Sequence, residues 1–139
     1  MSKRDQQDIE RQLREVGLRP TRQRLALAEL LFGGDGHRHV TAEQLHREAR
    51  EAGLSVSLAT IYNTLNQFSE VGLLREVNTD GSHTYYDTNT SDHHHFYWEE
   101  QDVLIDIPAE QLKLASMPPL PAGKKVKGVD IIIRLADEG

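Results

Sequence analysis

Over the first 72 residues the apolar positions recur with a helical period, and glycines mark where each run stops. Ile9, Leu13 and Val16 stand at near-helical spacing in an otherwise polar stretch, predicting a helix over 5–16 that Gly17 ends. Pro20 and Thr21 form a start signal, with Thr21 as N-cap of a helix reaching about Phe32 and carrying Leu25, Ala28 and Leu31 on one stripe. Gly33, Gly34 and Gly36 terminate it. Thr41 with Gln44 three residues on has capping-box spacing, and Leu45 and Ala49 follow one turn apart, so a third helix runs from about Ala42 to Ala52, before Gly53. Ser57 opens a fourth, in which Ile61, Leu65 and Phe68 at i, i+4 and i+7 face a core. Its other side offers Thr60, Asn63, Asn66 and Gln67, with Tyr62 at the flank. Residues 57–69 contain no charge, which is unusual for a face that meets only water.

After Gly72 the period changes. Residues 73–77 and 82–86, parted by Asp80-Gly81, read as a β-hairpin. Helices followed by a two-stranded hairpin is the order of a winged helix-turn-helix, with the helix at 57–70 as its reading surface. The polar run 87–92 reads as a connection, giving a first domain of residues 1–87 and a second of 88–139. In the second, strands are predicted at 94–98 and 103–107 around a Glu-Glu-Gln-Asp turn, Pro108 stops the latter, a short helix occupies 109–116 and a third strand spans 126–135. Such a unit has little core alone, so pairing with a second copy is expected. The fold class is therefore α+β: an N-terminal winged helix-turn-helix followed by a small α/β dimerisation domain.

The formal charge of -6 argues at first against a polyanionic partner, but its distribution changes that. Residues 1–78 balance 11 Lys/Arg against 11 Asp/Glu, and residues 1–28 carry 7 against 4, so the deficit lies wholly in the second half. Arg14, Arg19, Arg22 and Arg24 suit DNA phosphates. Ser57 and Thr60, near a helix start, suit phosphate or base contacts, while Tyr62, Asn63 and Asn66 suit base edges: Asn pairs with adenine and an apolar surface meets the thymine methyl. No window approaches 18 apolar residues and the N-terminus has no apolar leader, so no membrane role and a cytoplasmic location are expected. The 139 residues include no cysteine, which excludes disulfides, thiolate zinc and cysteine nucleophiles and leaves histidine and oxygen ligands for any metal.

Asp92-His93-His94-His95 is the sharpest local feature. On a strand, His93 and His95 share one face while His94 and Asp92 take the other. Two imidazoles on one face can begin a metal site, with His39, Asp87 and His83 as further ligands. His39 lies far off in sequence, so a metal using it would bias the arrangement of the two domains. The same histidines suit haem iron as an alternative. His37 and His46 read as surface residues.

Gly-Leu-Arg-Pro-Thr-Arg-Gln-Arg at 17–24, Thr-Ala-Glu-Gln-Leu-His at 41–46, Ser-Leu-Ala-Thr-Ile-Tyr-Asn-Thr-Leu at 57–65, then Val-Gly-Leu-Leu-Arg-Glu-Val and His-His-His-Phe, resemble the ferric uptake regulator (Fur) family over nearly the whole chain. Within it, Tyr-Tyr-Asp-Thr-Asn-Thr-Ser-Asp-His-His-His-Phe at 85–96 and the lack of cysteine look most like the iron response regulators (Irr) of alphaproteobacteria. The resemblance implies a homodimeric regulator of haem and iron metabolism, binding double-stranded DNA at an AT-rich inverted repeat, competing with RNA polymerase at promoters, and controlled by haem. A Fur-like alternative uses ferrous iron, manganese or zinc directly as corepressor. Tyr62 falls on the family's recognition-helix tyrosine, Arg19 on a basic position near the DNA backbone, and Asn63 where many relatives have arginine. His39, His93 and His95 match ligands of the family's regulatory site. Its glutamate falls near Tyr86, with Asp87 adjacent as a substitute. His94 and Asp92 stand at positions of a second metal site with their residue types exchanged, so Asp92, His93, His94 and His95 are candidates for that site or for haem. Trp98 and Gln101 replace the paired cysteines of the structural zinc, so no cysteine-ligated zinc is expected.

Other classes explain less. A metalloenzyme on His39, His93 and His95 with Glu99 or Glu100 as base leaves the uncharged helix face without a purpose, and a metal-storage protein needs more than one dense histidine run. The expectation is a regulator and not an enzyme.

Overall fold

A computed structural model describes residues 5–79, 83–91 and 93–139, and its chain divides into two compact units at Thr90 and Ser91. The first unit holds helices α1 (Gln6–Glu15), α2 (Arg22–Phe32), α3 (Ala42–Glu51) and α4 (Leu58–Glu70), with strands β1 (His39–Val40), β2 (Arg75–Asn78) and β3 (Thr84–Asp87). Each helix begins on the side-chain oxygen of an Asp, Ser or Thr. Asp5, Thr21, Thr41 and Ser57 accept the amides of Asp8, Arg24, Gln44 and Thr60, which otherwise lack an intrahelical partner.

α1, α3 and α4 are followed by glycines at positive φ, Gly17, Gly53 and Gly72, where the chain must leave the helix, whereas α2 stops at Gly33 with φ -79°. At Gly53, φ is 83°, and the amides of Gly53 and Leu54 return to the carbonyls of Arg50 and Ala49 at 3.0 and 2.9 Å. This is a Schellman closure, whose left-handed residue costs a Cβ-bearing side chain more than it costs glycine. It turns α3 into α4 over residues 52–57 and so sets the pose of α4.

The core of this unit gathers one stripe from every helix. Ile9 and Leu13, Leu27 and Leu31, Leu45 and Ala49, and Ile61, Leu65 and Phe68 are all buried, and Phe32 and Phe68 approach at 6.2 Å between ring centroids. Burial of such side chains stabilises by roughly 1.5–3 kcal/mol each relative to leaving them in water. Because Ile61, Leu65 and Phe68 point inward, Ala59, Tyr62, Asn63 and Asn66 are exposed.

Each hairpin strand begins two residues later and ends one residue later than the hydrophobic alternation predicts. β2 and β3 pair antiparallel from Arg75↔Asp87 to Asn78↔Thr84, and the anticipated Asp80-Gly81 turn falls outside the described residues. A third strand was not anticipated: β1 pairs with the far side of β3, His39 opposite Asp87 and Val40 opposite Tyr86, giving the order β1-β3-β2. Two residues carry no period, so local pattern does not reveal such a strand.

The second unit is a three-stranded sheet of order β5-β4-β6, formed by β4 (His94–Trp98), β5 (Val103–Ile107) and β6 (Ile132–Leu135). β4 and β5 are antiparallel around a 3₁₀ turn at Glu99–Gln101, which Asp102 closes at φ 51° while accepting the Tyr97 hydroxyl at 3.0 Å. The helix predicted at 109–116 shrinks to a single 3₁₀ turn, Ala109–Gln111, because Leu112 is already extended and the following residues are exposed. The strand predicted at 126–135 narrows to Ile132–Leu135. It pairs parallel with β4 from His95↔Ile132 to Trp98↔Leu135, and β4 has little left to offer an earlier partner. The molecule is thus α+β, a winged helix-turn-helix followed by a small sheet domain. No described helix is long and apolar enough to cross a membrane.

Candidate metal centre and nucleic-acid interface

In the second unit, strand alternation puts His93 and His95 together. Their ring centroids lie 4.6 Å apart, and both side chains are almost wholly buried. β5 supplies a third group: Asp106, the register partner of His95, places Oδ1 at 3.2 Å from His95 Nε2 and 3.5 Å from His93 Nε2. His93 Nδ1 lies 2.7 Å from the Ser91 carbonyl, and a carbonyl only accepts, so Nδ1 donates there and Nε2 is the ring nitrogen turned toward the carboxylate. Two imidazole nitrogens converging on one carboxylate oxygen call for a proton or a cation between them. A divalent transition metal meets that demand, since imidazole and carboxylate are the donors such ions take without thiolate.

Sequence reading named His93 and His95 but missed Asp106. The signal was available. Strands at 94–98 and 103–107 closed by four residues pair position 95 with position 106 when read as a hairpin. His94 faces elsewhere, its Nδ1 accepting the Ile131 amide at 3.0 Å, and Asp92 lies outside the described residues.

In the first unit, the β1–β3 ladder sets His39 opposite Asp87, with ligand atoms of the two within 4.8 Å. Asp87 is fully buried and accepts the Asn89 amide at 2.9 Å. Tyr86, beside it, belongs to the core and sends its hydroxyl to Asn66, so the carboxylate opposite His39 is Asp87. His83 sits just before β3, and His46 bonds the Val56 carbonyl at 3.0 Å within the turn between α3 and α4.

The uncharged face of α4 carries the base-reading candidates. Ser57 caps the helix, and its hydroxyl also donates to Thr60 Oγ1 at 3.0 Å. Tyr62 lies across α3, donating its hydroxyl to the Glu43 carboxylate at 3.1 Å, while Asn63 is exposed beside it. Arg19 and Arg22 are exposed, Arg14 is paired with Glu10 at 3.1 Å, and Arg24 reaches the Arg19 carbonyl and Gln67.

Two tyrosines on this side hold their protons more tightly than usual. Partial burial, then the hydrogen bond and charge of Glu43, raise Tyr62 above 10.0, while burial first and the Glu76 carboxylate next raise Tyr86 above the same value. A raised folded-state pKa contributes stability that is fully present below the unfolded value near 10 and is lost as pH climbs through the folded one. An ultraviolet titration of the folded protein is therefore expected to show Tyr62 and Tyr86 ionising later than after denaturation. Coincident folded and denatured curves would contradict this.

Comparison with known proteins corrects part of the sequence reading. The chain is 33% identical over 100 residues to the peroxide-responsive repressor PerR of Staphylococcus aureus, a match covering 72% of this chain and 66% of that protein, just under two thirds of its length. Its fold is shared with the ferric uptake regulator of Pseudomonas aeruginosa, solved with manganese, at TM-score 0.71 and 23% identity over 94% of this chain and 98% of the other. It is shared also with the Vibrio cholerae ferric uptake regulator, at TM-score 0.68 and 20% identity over 90% and 96%. The likeness to iron response regulators, and with it control by haem, is overturned. Curated relatives at this identity include PerR proteins, and the histidines meet carboxylates in a set suited to a divalent ion. The local segment 85–96 misled because a histidine run with no cysteine is compatible with both ligands, and only Asp106 and Asp87 beside the imidazoles discriminate between them. Residues 15–129 match the Ferric uptake regulator family, whose members are DNA-binding transcription factors and not enzymes, and the chain belongs to that family.

Proposed function

We propose that this protein is a DNA-binding repressor that uses a divalent metal, ferrous iron, manganese or zinc, as corepressor. The observation that carries the reading is the convergence of His93 Nε2 and His95 Nε2 on one oxygen of Asp106, with His93 Nδ1 held by the Ser91 carbonyl. The proposed ligands are His39 and Asp87 in the first unit and, in the second, His93 and His95 joined by Asp106. The metal would supply positive charge among these imidazole and carboxylate groups, and the gain on binding it favours the DNA-competent state. The chain's own residues do the rest. Asp87 and His39 are fixed by the β1–β3 ladder, His95 and Asp106 by the β4–β5 ladder. The proposed target is double-stranded DNA with an AT-rich inverted repeat, bound by a homodimer in the cytoplasm so that RNA polymerase is excluded from the promoter. Tyr62, Asn63 and Asn66 read base edges, and Ser57, Thr60, Arg14, Arg19 and Arg22 hold phosphates. Exposed Val103, Ile105 and Ile133 on the small sheet support pairing of two copies.

The test is a fluorescence titration of metal-free protein into a random-sequence duplex pool, followed by recovery and sequencing, with and without manganese. Sequence-selective, salt-sensitive binding is expected only with metal. Unselective binding, or selection unchanged by metal, refutes the reading. The name of the Staphylococcus aureus relatives favours a second response of the same centre, release of DNA on exposure to peroxide. Iron-loaded protein that keeps its full DNA affinity after hydrogen peroxide treatment would exclude it.

A further inference from the structure

The hydroxyl of Tyr86 donates to Asn66 Oδ1 at 3.2 Å, joining the central strand of the first unit's sheet to the exposed face of α4. The two ends of this bond differ in freedom. The Tyr86 ring is 3% exposed and belongs to the core cluster, so the position of its oxygen is set by packing. Asn66 is exposed, and an exposed amide without such an anchor rotates and exchanges its oxygen and nitrogen ends freely. A phenol is a strong donor and a weak acceptor because its lone pairs are drawn into the ring. It therefore selects the orientation in which Asn66 turns Oδ1 inward. An ordinary phenol, which ionises only at about pH 10, keeps the donated proton throughout the neutral range.

We propose that Tyr86 is a specificity-determining positioning residue, which locks the Asn66 amide with its NH₂ group outward so that Asn66 reads an acceptor on a base edge. This rests on the proposal above that α4 enters the DNA groove. An outward NH₂ donates to purine N7, to guanine O6 or to thymine O4. The usual two-bond pairing of asparagine with adenine also needs Oδ1 to accept the adenine amino group, and here Tyr86 draws that oxygen inward. Asn66 consequently selects an acceptor edge and discriminates weakly between adenine and guanine on the contacted strand. Removing the hydroxyl frees the amide to turn and make both bonds to adenine.

The experiment uses full-length, manganese-loaded protein and the best duplex recovered from a random pool. Each base pair is replaced in turn, and each purine is exchanged for its 7-deaza analogue. For the wild type, one purine per half-site is expected to lose about tenfold in affinity on 7-deaza substitution while tolerating exchange of adenine for guanine. In Tyr86→Phe, which keeps the ring and its packing, that same position is expected to become adenine-selective by about tenfold, with preferences elsewhere and the slope of affinity against salt unchanged. A merely structural role for Tyr86 would lower affinity at all positions alike, and a matched thermal unfolding curve separates that case. Asn66→Ala supplies the second arm. In its background Tyr86→Phe is expected to have no further effect on base preference, because the two act as one unit. The inference is overturned if Tyr86→Phe leaves the base profile unchanged, or if its effect persists at full size without Asn66. If the wild type selects no sequence from the pool, the reading of α4 as a DNA helix fails first, and this inference falls with it.

Discussion

Replacing His93 and His95 together with alanine is expected to abolish the manganese response of DNA binding and to lower metal affinity by more than about a hundredfold. Loss of a hydrogen-bonding support to a ligand alone costs ~10–100-fold, and this change removes two nitrogen donors outright. Both imidazoles lie against the same Asp106 oxygen, so the variant also leaves that carboxylate without its two neighbours. The fold should survive. The apolar contacts of the small sheet come from Tyr97, Leu104 and Ile107, and its ladders run through backbone groups. Circular dichroism should therefore stay close to wild type while isothermal titration with manganese loses its high-affinity site. Asp106→Asn is the finer probe. It retains the size and an acceptor but removes the charge, and should weaken manganese binding less than the double histidine change. Retention of wild-type manganese affinity by the double variant would remove this pair from the metal centre.

The largest stability effect is expected at Phe68. Its side chain is 0% exposed, lies on the inward stripe of α4 with Ile61 and Leu65, and meets Phe32 at 6.2 Å. Phe68→Ala removes an aromatic ring from a packed interior and leaves a cavity that rigid helices cannot collapse around, at a cost of about 3–5 kcal/mol. Urea unfolding followed by helical dichroism is the measurement, and a loss below ~1 kcal/mol would mean that α4 is not held by this stripe. Because the same helix carries Tyr62, Asn63 and Asn66 on its outer side, DNA affinity should fall with temperature sooner in this variant than in the wild type. The inner stripe gives the outer face its rigidity.

How much of the centre and of the reading face was legible follows from the kind of signal each residue leaves. The four N-caps, the glycine stops and the inward stripe of α4 are written in local chemistry: a hydroxyl or carboxylate three residues before an amide, a left-handed residue after the last turn, a period of 3.6. Those rules act within a few residues, so sequence suffices. His93 and His95 were legible for the same reason, since strand alternation alone puts them on one face.

What local rules cannot carry is pairing between distant segments. The two-residue strand β1 exists only because β3 offers it an edge, and with it come the opposition of His39 and Asp87 and the separation of Tyr86 to the core side. The short β6 is likewise set by the length of β4 that it pairs with. The choice between haem and a divalent ion belonged to this class as well: the histidine run permits either, and the carboxylates of Asp106 and Asp87 that decide it arrive through sheet register. Sequence by itself determined the helices, the Thr21 and Thr41 caps, the uncharged outer face of α4 and the imidazole pair, because each is fixed by neighbours along the chain. Tertiary structure alone decided that Asp106 stands beside those imidazoles and which hydroxyl holds Asn66, because hydrogen-bonded ladders and core packing join residues that local rules do not connect.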